Sequence, residues 1–159
     1  MDIDFDNINH INYIKKLAKR NKFYERELNA SIEYEYIPKK KDNVECKGLF
    51  YIDNKKVIGF IIYQFVGKGY IKVDFMLIDK DFQNKGYGKQ LINKIIDIKP
   101  TFIVIECDKK TKKYYIKNFN FFEINMDNLI KYDCENIGLC LLHNLKYAPD
   151  SKFSYVYKL

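Results

Sequence analysis

The chain has no long apolar run, few cysteines and glycines, and fewer acidic than basic residues. No uninterrupted hydrophobic stretch in its 159 residues approaches the roughly 20 residues of a membrane-spanning helix. Its first six residues include three aspartates and lack the charged-then-apolar layout of a signal peptide. Four cysteines without a secretory signal are expected to be reduced thiols. We therefore expect a cytoplasmic protein that does not associate with membranes.

The basic excess gives a formal net charge of +7. The lysines are spread in short clusters, such as residues 39–41 and 109–110, and no long basic arm stands out. This spread favours a solvated lysine-rich surface over a nucleic-acid interface, although part of the charge could attract a phosphorylated ligand. A nucleic-acid-binding protein stays an alternative, and it predicts binding that falls steeply with salt.

Hydrophobic residues make up 47% of the chain, which is enough for one domain over residues 1–159 with a core of its own. Apolar residues at helical spacing predict an amphipathic helix over residues 7–20, capped by Asp6 or Asn7. A short strand around Ile3 and Phe5 and a second helix over residues 23–28 are expected on either side. Residues 32–36 alternate as a strand does.

Three extended runs follow, separated by turn residues, and they predict an antiparallel meander over residues 48–52, 56–65 and 70–78. The later pattern predicts a helix, a buried parallel strand, a second helix and two closing strands, and leaves residues 126–152 unassigned. This order indicates an α/β fold with a mixed, mostly antiparallel central sheet flanked by helices. The later elements are expected over residues 89–97, 101–107, 109–117, 121–125 and 154–159.

Residues 83–88, Gln-Asn-Lys-Gly-Tyr-Gly, form what we call the glycine turn. It contains two of the seven glycines and lies between a strand pattern and a helix pattern. A strand that turns through glycines into a helix directs several backbone N–H groups at one point, and the helix dipole adds to the attraction for an anion. The glycine turn therefore predicts a diphosphate-binding site.

The Gln-x-x-Gly-x-Gly spacing resembles the signature of the GCN5-related N-acetyltransferases, and the order of elements is similar to theirs over about residues 3–124. The resemblance implies the acyl-CoA N-acyltransferase fold and acetyl-CoA as co-substrate, with no metal. Backbone groups of three β-strand residues would pair with the pantetheine arm, and the N–H groups of the turn would surround the pyrophosphate. The implied donor-site residues are Met76, Leu77, Ile78, Gln83, Asn84, Lys85, Gly86, Tyr87, Gly88 and Lys89.

The general base is less clearly indicated. Some relatives have a glutamate four residues before the position matching Met76, but Lys72 stands there and cannot act as a carboxylate base. Asp74 lies on the same strand face as Met76 by period-two alternation and is one candidate, with an ion pair to Lys72 as the alternative role. Glu106, at the end of the next strand, is the other candidate. A base acting through water would also serve.

The resemblance implies a tyrosine as general acid, on the helix ahead of a Gly-Phe pair. Asn replaces that glycine here, and the two possible alignments assign the role to Tyr114 or to Tyr115. Glu33 and Glu35 lie where relatives often shape the acceptor site and could attract a cationic amine. Three possible zinc ligands lack a common spacing and a fourth partner, so no metal is predicted; they are Cys134, Cys140 and His143.

The sequence thus predicts an enzyme, an N-acetyltransferase that moves acetyl from acetyl-CoA to a primary amine by direct attack. The acceptor could be a small amine, a polyamine or a protein amine, and the protein a monomer or homodimer. Because Lys72 replaces a carboxylate, a non-catalytic acyl-CoA-binding module of the same fold is the alternative.

Overall fold

A computed structural model describes residues 1–36, 45–65, 69–123 and 153–158. The chain forms two compact units, residues 1–103 and 104–159. Strand β4 (Phe102–Asp108) begins in the first unit and ends in the second, which also contains α4 (Lys109–Phe119), β5 (Phe122–Glu123) and β6 (Phe153–Lys158). The first unit contains α1 (Ile8–Asn21), α2 (Glu25–Ser31), a π-helical turn (Ile32–Tyr36), β1 (Cys46–Asp53), β2 (Lys56–Phe65), β3 (Tyr70–Ile78), a 3-10 turn (Lys80–Phe82) and α3 (Tyr87–Ile96).

Helix α1 forms where the apolar spacing predicted it. Asn7 caps it, because its side-chain oxygen accepts a hydrogen bond from the N–H of Asn9 at 3.0 Å. Lys22 ends it in the left-handed conformation, with φ 51°. One face of the helix is buried in the core of the first unit, and it consists of Ile11, Ile14, Leu17 and Ala18.

The predicted meander is confirmed: β1 pairs with β2, and β2 with β3, both antiparallel. The β1–β2 hairpin closes at Asn54 and Lys55, which have positive φ angles of 46° and 65°. Two consecutive left-handed residues match the right-handed twist of the flanking strands. The helices α1 and α2 share one hydrophobic core with the sheet face that bears Phe60 and Ile62.

Strand β3 contains a β-bulge that changes which way Asp74 faces. Ile62 pairs with Phe75 and Tyr63 pairs with Val73, so Asp74 is the extra residue. Its carboxylate contacts the side chain of Gln64, which by alternation lies on the Phe60–Ile62 face of β2. Met76 pairs instead with Ile61, on the opposite face. The expectation that Asp74 shares a face with Met76 was therefore wrong, because period-two alternation does not hold across a bulge.

Two further local predictions need correction. Residues 32–36 form a π-helical turn instead of a strand, and this turn buries both Ile32 and Tyr36 at 1% exposure. Packing of these two side chains into the core outweighs the alternating pattern. Around Ile3 the chain forms only an isolated bridge, between Asp2 and Leu49, and no strand. The second helix begins at Glu25, two residues later than expected.

The second unit follows the predicted order of elements. The apolar run that was expected to form a strand is β4, and α4 follows it directly. Strand β5 pairs antiparallel with β6, with Phe122 opposite Tyr157. Residues 124–152, which include the end of one predicted strand and the unassigned segment, lie outside the described residues.

Candidate functional site

The glycine turn joins the 3-10 turn to helix α3 as the sequence predicted. Gly86 is the N-cap of α3 and has φ 83°, a left-handed conformation that glycine adopts without steric cost. The first helical hydrogen bond runs from the N–H of Gln90 to the carbonyl of Gly86 at 3.1 Å. The N–H groups of Tyr87, Gly88 and Lys89 therefore have no acceptor within the helix, and the N-cap residue Gly86 has no side chain to cap them.

The space in front of this helix end is open. A Cβ atom built on Gly86 meets no atom of the described chain within 4 Å. Lys85 and Lys89 are exposed, and the Lys85 ammonium lies 5.2 Å from the centre of the Phe82 ring. Unpaired N–H groups, nearby positive charge and open space are what a diphosphate requires. The residues present therefore fit the phosphate groups of a nucleotide-type ligand.

The side chain of Gln83 anchors the turn to the end of β3. Its Nε2 donates a hydrogen bond to the carbonyl of Ile78 at 2.9 Å. The N–H of Asp79 donates to Ile58 in β2, so by alternation the backbone groups of Leu77 also point towards β2. The backbone groups of Met76 and Ile78 point to the other edge of β3. Of the three strand residues expected to pair with the pantetheine arm, Met76 and Ile78 have the suitable direction.

The side chain of Tyr87 packs sideways instead of into the open space. Its ring lies 4.9 Å from that of Tyr51, and its hydroxyl donates to Asp53 at 3.5 Å. Partial burial, followed by the neighbouring Asp53 and Tyr51, raises the pKa of Tyr87 above 10.0. The phenol is therefore neutral at pH 7, and only the backbone N–H of this residue is directed at the site.

Asp74 lies in a polar cluster on β3. Its side chain is 6% exposed, and the ammonium of Lys72 lies 2.9 Å from Oδ1. The other oxygen, Oδ2, accepts hydrogen bonds from Gln64 Nε2 at 2.6 Å and from the Tyr36 hydroxyl at 3.2 Å. The ion pair with Lys72 that the sequence left open as an alternative is thus formed, and the buried charge is compensated.

The other predicted catalytic residues belong to the second unit. Glu106 lies in β4, and its side chain lies outside the described part of the structure. Tyr114 and Tyr115 are both on α4. Tyr115 is buried against the rings of Phe119 and Phe121, whereas Tyr114 is half-buried. Burial raises the pKa of the Tyr114 hydroxyl above 10.0.

The two glutamates near the predicted acceptor region fall in the π-helical turn. Glu33 is exposed and lies 3.6 Å from the ammonium of Lys15. The side chain of Glu35 lies outside the described residues, as do the three possible zinc ligands near residue 140. Within the ranges described, no group of three potential metal-ligating side chains occurs. No helix in those ranges is both long and apolar enough to span a bilayer.

Four residues of this region were not identified from the sequence. Tyr36 and Gln64 bind Asp74 from other elements, and neither has a local signal for that role. Arg20, at the end of α1, pairs with Asp79 and Asp81, which flank the start of the 3-10 turn. Of the four, only Asp79 carried a sequence signal, because the side chain of an Asp at the start of a turn commonly accepts a hydrogen bond from the N–H two residues further on.

The order of elements and the turn between β3 and α3 define the class of proteins with the acyl-CoA N-acyltransferase fold. The acetyltransferase (GNAT) family model matches residues 11–121, and the chain belongs to this family. Its mixed sheet flanked by helices is the acyl-CoA N-acyltransferase fold, as the sequence predicted. Members of the family are generally acyltransferases. No curated protein matches the chain by sequence.

Solved structures with low sequence identity share the fold. A GNAT-family acetyltransferase from Staphylococcus aureus Mu50 is 16% identical, with 99% of this chain and 97% of that chain covered and a TM-score of 0.64. The PaiA N-acetyltransferase from Thermoplasma acidophilum, in complex with coenzyme A, is 12% identical, with 96% and 94% covered and a TM-score of 0.60. The ribosomal-protein-S18-alanine N-acetyltransferase from Escherichia coli is 17% identical, with 75% and 76% covered and a TM-score of 0.57.

Proposed function

We propose that this protein is an N-acetyltransferase that moves acetyl from acetyl-CoA to a primary amine by direct attack. The observation that carries the proposal is the open glycine turn, where three N–H groups at the start of α3 have no acceptor within the helix. Two similar structures are named N-acetyltransferases, and one is a complex with coenzyme A, which supports both donor and acceptor class. The family match over residues 11–121 supports one acetyltransferase domain spanning residues 1–159.

The donor would be held mainly by backbone groups. The N–H groups of residues 84–89 are proposed to bind the pyrophosphate, with Lys85 and Lys89 adding positive charge. Met76 and Ile78, whose backbone groups point away from β2, are proposed to pair with the pantetheine arm. Acetyl-CoA supplies the activated thioester carbonyl, and a β3 N–H facing its oxygen would stabilise the negative charge that develops there.

Asp74 is the proposed base. A free alkylamine with a pKa near 10.4 is neutral in only about one part in a few thousand at pH 7, so the acceptor must lose a proton before it attacks. The Lys72 ammonium, 2.9 Å from Asp74 Oδ1, occupies a position that an acceptor ammonium could take. The acceptor would then displace Lys72 and give its proton to the carboxylate. The amine nitrogen bonds to the acetyl carbon as the C–S bond breaks.

The departing thiolate needs little help from an acid. A free thiol has a pKa near 8.5, below that of any ordinary phenol. Since burial holds the pKa of Tyr114 above 10.0, its hydroxyl is too weak an acid to protonate the thiolate fully. We therefore propose Tyr114 as a hydrogen-bond donor to the leaving sulfur. Tyr115 is the alternative from the second alignment, and its burial among aromatic rings makes it the weaker choice.

The test is release of free thiol from acetyl-CoA in the presence of a panel of primary amines, including spermidine, lysine and a peptide with a free N-terminus. The wild type should turn over at least one amine. Asp74→Asn should lower kcat by about 100-fold or more, the usual contribution of a general base, while calorimetry gives an unchanged affinity for coenzyme A. Lys72→Met is the matched variant, and it should keep kcat while lowering the KM for the amine.

One observation favours the non-catalytic acyl-CoA-binding module as a second candidate. Asp74 already accepts contacts from Lys72, Gln64 and Tyr36, as a purely structural carboxylate would. This candidate predicts coenzyme A binding by the wild type with no turnover on any amine. Turnover that is equal in the wild type and in Asp74→Asn would keep the enzyme but remove Asp74 as its base.

A further inference from the structure

Asp79 is a fully buried carboxylate that the proposed reaction does not use. It directly follows β3, and its side chain is 0% exposed. Its Oδ1 accepts a hydrogen bond from the N–H of Asp81 at 3.4 Å, and its own N–H donates to the carbonyl of Ile58 at 2.8 Å. A buried charge of this kind is retained only where another group compensates it.

The compensating charge comes from the last turn of α1. Arg20 Nη1 lies 3.1 Å from Asp79 Oδ2, at ion-pair distance but without hydrogen-bond alignment. Arg20 Nη2 donates to Asp81 Oδ2, so one guanidinium contacts both carboxylates. The next residue, Asn21, accepts a hydrogen bond from the N–H of Lys80 at 2.8 Å. Three consecutive residues, 79–81, are thus attached to the end of α1.

These contacts lie directly before the glycine turn. The segment runs from Asp79 through the 3-10 turn to Gln83, whose side chain returns to the carbonyl of Ile78. Two carboxylates at this point would repel a diphosphate bound by the turn, unless their charge is neutralised. Arg20 offsets one of the two negative charges and also holds the segment that leads into the turn.

We propose that Arg20 is a positioning residue of the donor site, one that masks the charge of Asp79 and Asp81 next to the bound pyrophosphate. The proposal rests on the proposed function, since it requires that the glycine turn binds coenzyme A. It assigns to the end of α1 a role in donor affinity, although Arg20 touches neither the glycine turn nor the N-terminus of α3 in the contacts that the structure gives it.

Calorimetric titration with coenzyme A tests the proposal. Arg20→Gln should weaken binding by tenfold or more, because the negative charges of Asp79 and Asp81 are then left without the compensating guanidinium next to the glycine turn. Arg20→Lys keeps the charge and should stay within threefold of the wild type. Lys19→Gln is the matched control: it removes the same charge from the neighbouring, exposed position of α1 and should change the affinity by less than twofold.

A triple variant separates charge masking from other effects. Adding Asp79→Asn and Asp81→Asn to Arg20→Gln removes the charges that Arg20 would mask, so the affinity should return to within threefold of the wild type. Loss of packing alone, or a direct contact of Arg20 with the phosphates, predicts no such rescue and overturns the proposal. Equal losses in Arg20→Gln and Lys19→Gln overturn it as well.

Two measurements distinguish a loss of affinity from a loss of folding. Circular dichroism and thermal unfolding establish that each variant is folded, and if the triple variant is not, the comparison of Arg20→Gln with Arg20→Lys decides. A folded Arg20→Gln protein that binds as tightly as the wild type refutes the positioning role. A wild type that gives no heat with coenzyme A refutes the proposed function itself, which distinguishes the two failures.

Discussion

Replacement of Gly86 by alanine separates the conformational role of this residue, which the structure shows, from its proposed role in ligand binding. Gly86 has φ 83°, and a Cβ there meets nothing within 4 Å in the described chain. The cost to folding therefore comes from the backbone alone. A left-handed non-glycine residue costs about 1–2 kcal/mol, and reduced freedom of the unfolded chain returns about 0.4–1 kcal/mol of this. The expected net loss is about 1 kcal/mol, or about 2–4 °C in Tm.

The effect on ligand binding should be larger. The new methyl group would stand in the open space beside the N–H groups of Tyr87 and Gly88, where the diphosphate is proposed to bind. Loss of one hydrogen bond to a charged group costs about 1.5–3 kcal/mol, which corresponds to a rise in Kd of about 10- to 150-fold. Calorimetry with coenzyme A measures this change, and thermal unfolding measures the stability of the same sample.

Gly69→Ala is the matched control. Gly69 has a similar φ of 79°, but its Cβ would lie 2.7 Å from the Thr101 hydroxyl oxygen. Steric overlap adds about 1–3 kcal/mol to the backbone cost, so this variant should be the less stable of the two. Its affinity for coenzyme A should equal that of the wild type. If Gly86→Ala binds coenzyme A normally, or if both variants lose affinity equally, the assignment of the turn is refuted.

Two further predictions concern stability. Gly59→Ala should lower the free energy of unfolding, measured in urea, by about 1–3 kcal/mol or more, because its Cβ would lie 2.7 Å from the Leu77 carbonyl oxygen. Gly48→Ala should lower it by less, because its shortest contact is with the flexible end of Ile3. Equal losses in the two variants would contradict this reasoning. Burial raises the pKa of Tyr63 above 10.0, and the negative charges of Asp2 and Glu45 add to this effect. The contribution of the neutral phenol to the free energy of unfolding is therefore complete below pH 10.0, and it is lost as the pH rises through the folded-state pKa. Tyr63→Phe should therefore make the alkaline fall in unfolding free energy shallower, and an unchanged slope would disprove the linkage.

The conformation of the glycine turn could be predicted because its signals are local. The glycine turn requires a glycine at a left-handed helix cap, and Gly86 occupies that position. The hairpin at residues 54–55 and the N-cap Asn7 are likewise set by the conformational preferences of a few neighbouring residues. Such preferences do not depend on the conformation of distant residues, so the local sequence is sufficient to predict these turns and caps.

The surroundings of Asp74 could not be predicted in this way. Alternation placed its side chain with Met76, but one extra residue in β3 turned it to the other face. Its partner Tyr36 is 38 positions away along the chain and lies in a π-helical turn that the alternating pattern did not indicate. A bulge arises from the register between two strands, which no single strand encodes.

The order of residues by itself determined the amphipathic face of α1, the three strands of the meander and the glycine turn between β3 and α3. Each depends on spacing or backbone preference within about ten residues. Only the tertiary structure decided that Arg20 would meet Asp81, 61 positions along the chain, and that Asp79, which the same guanidinium contacts, would be fully buried. Burial and charge pairing depend on which distant segments the core brings into contact, and desolvation of a carboxylate follows from that contact alone.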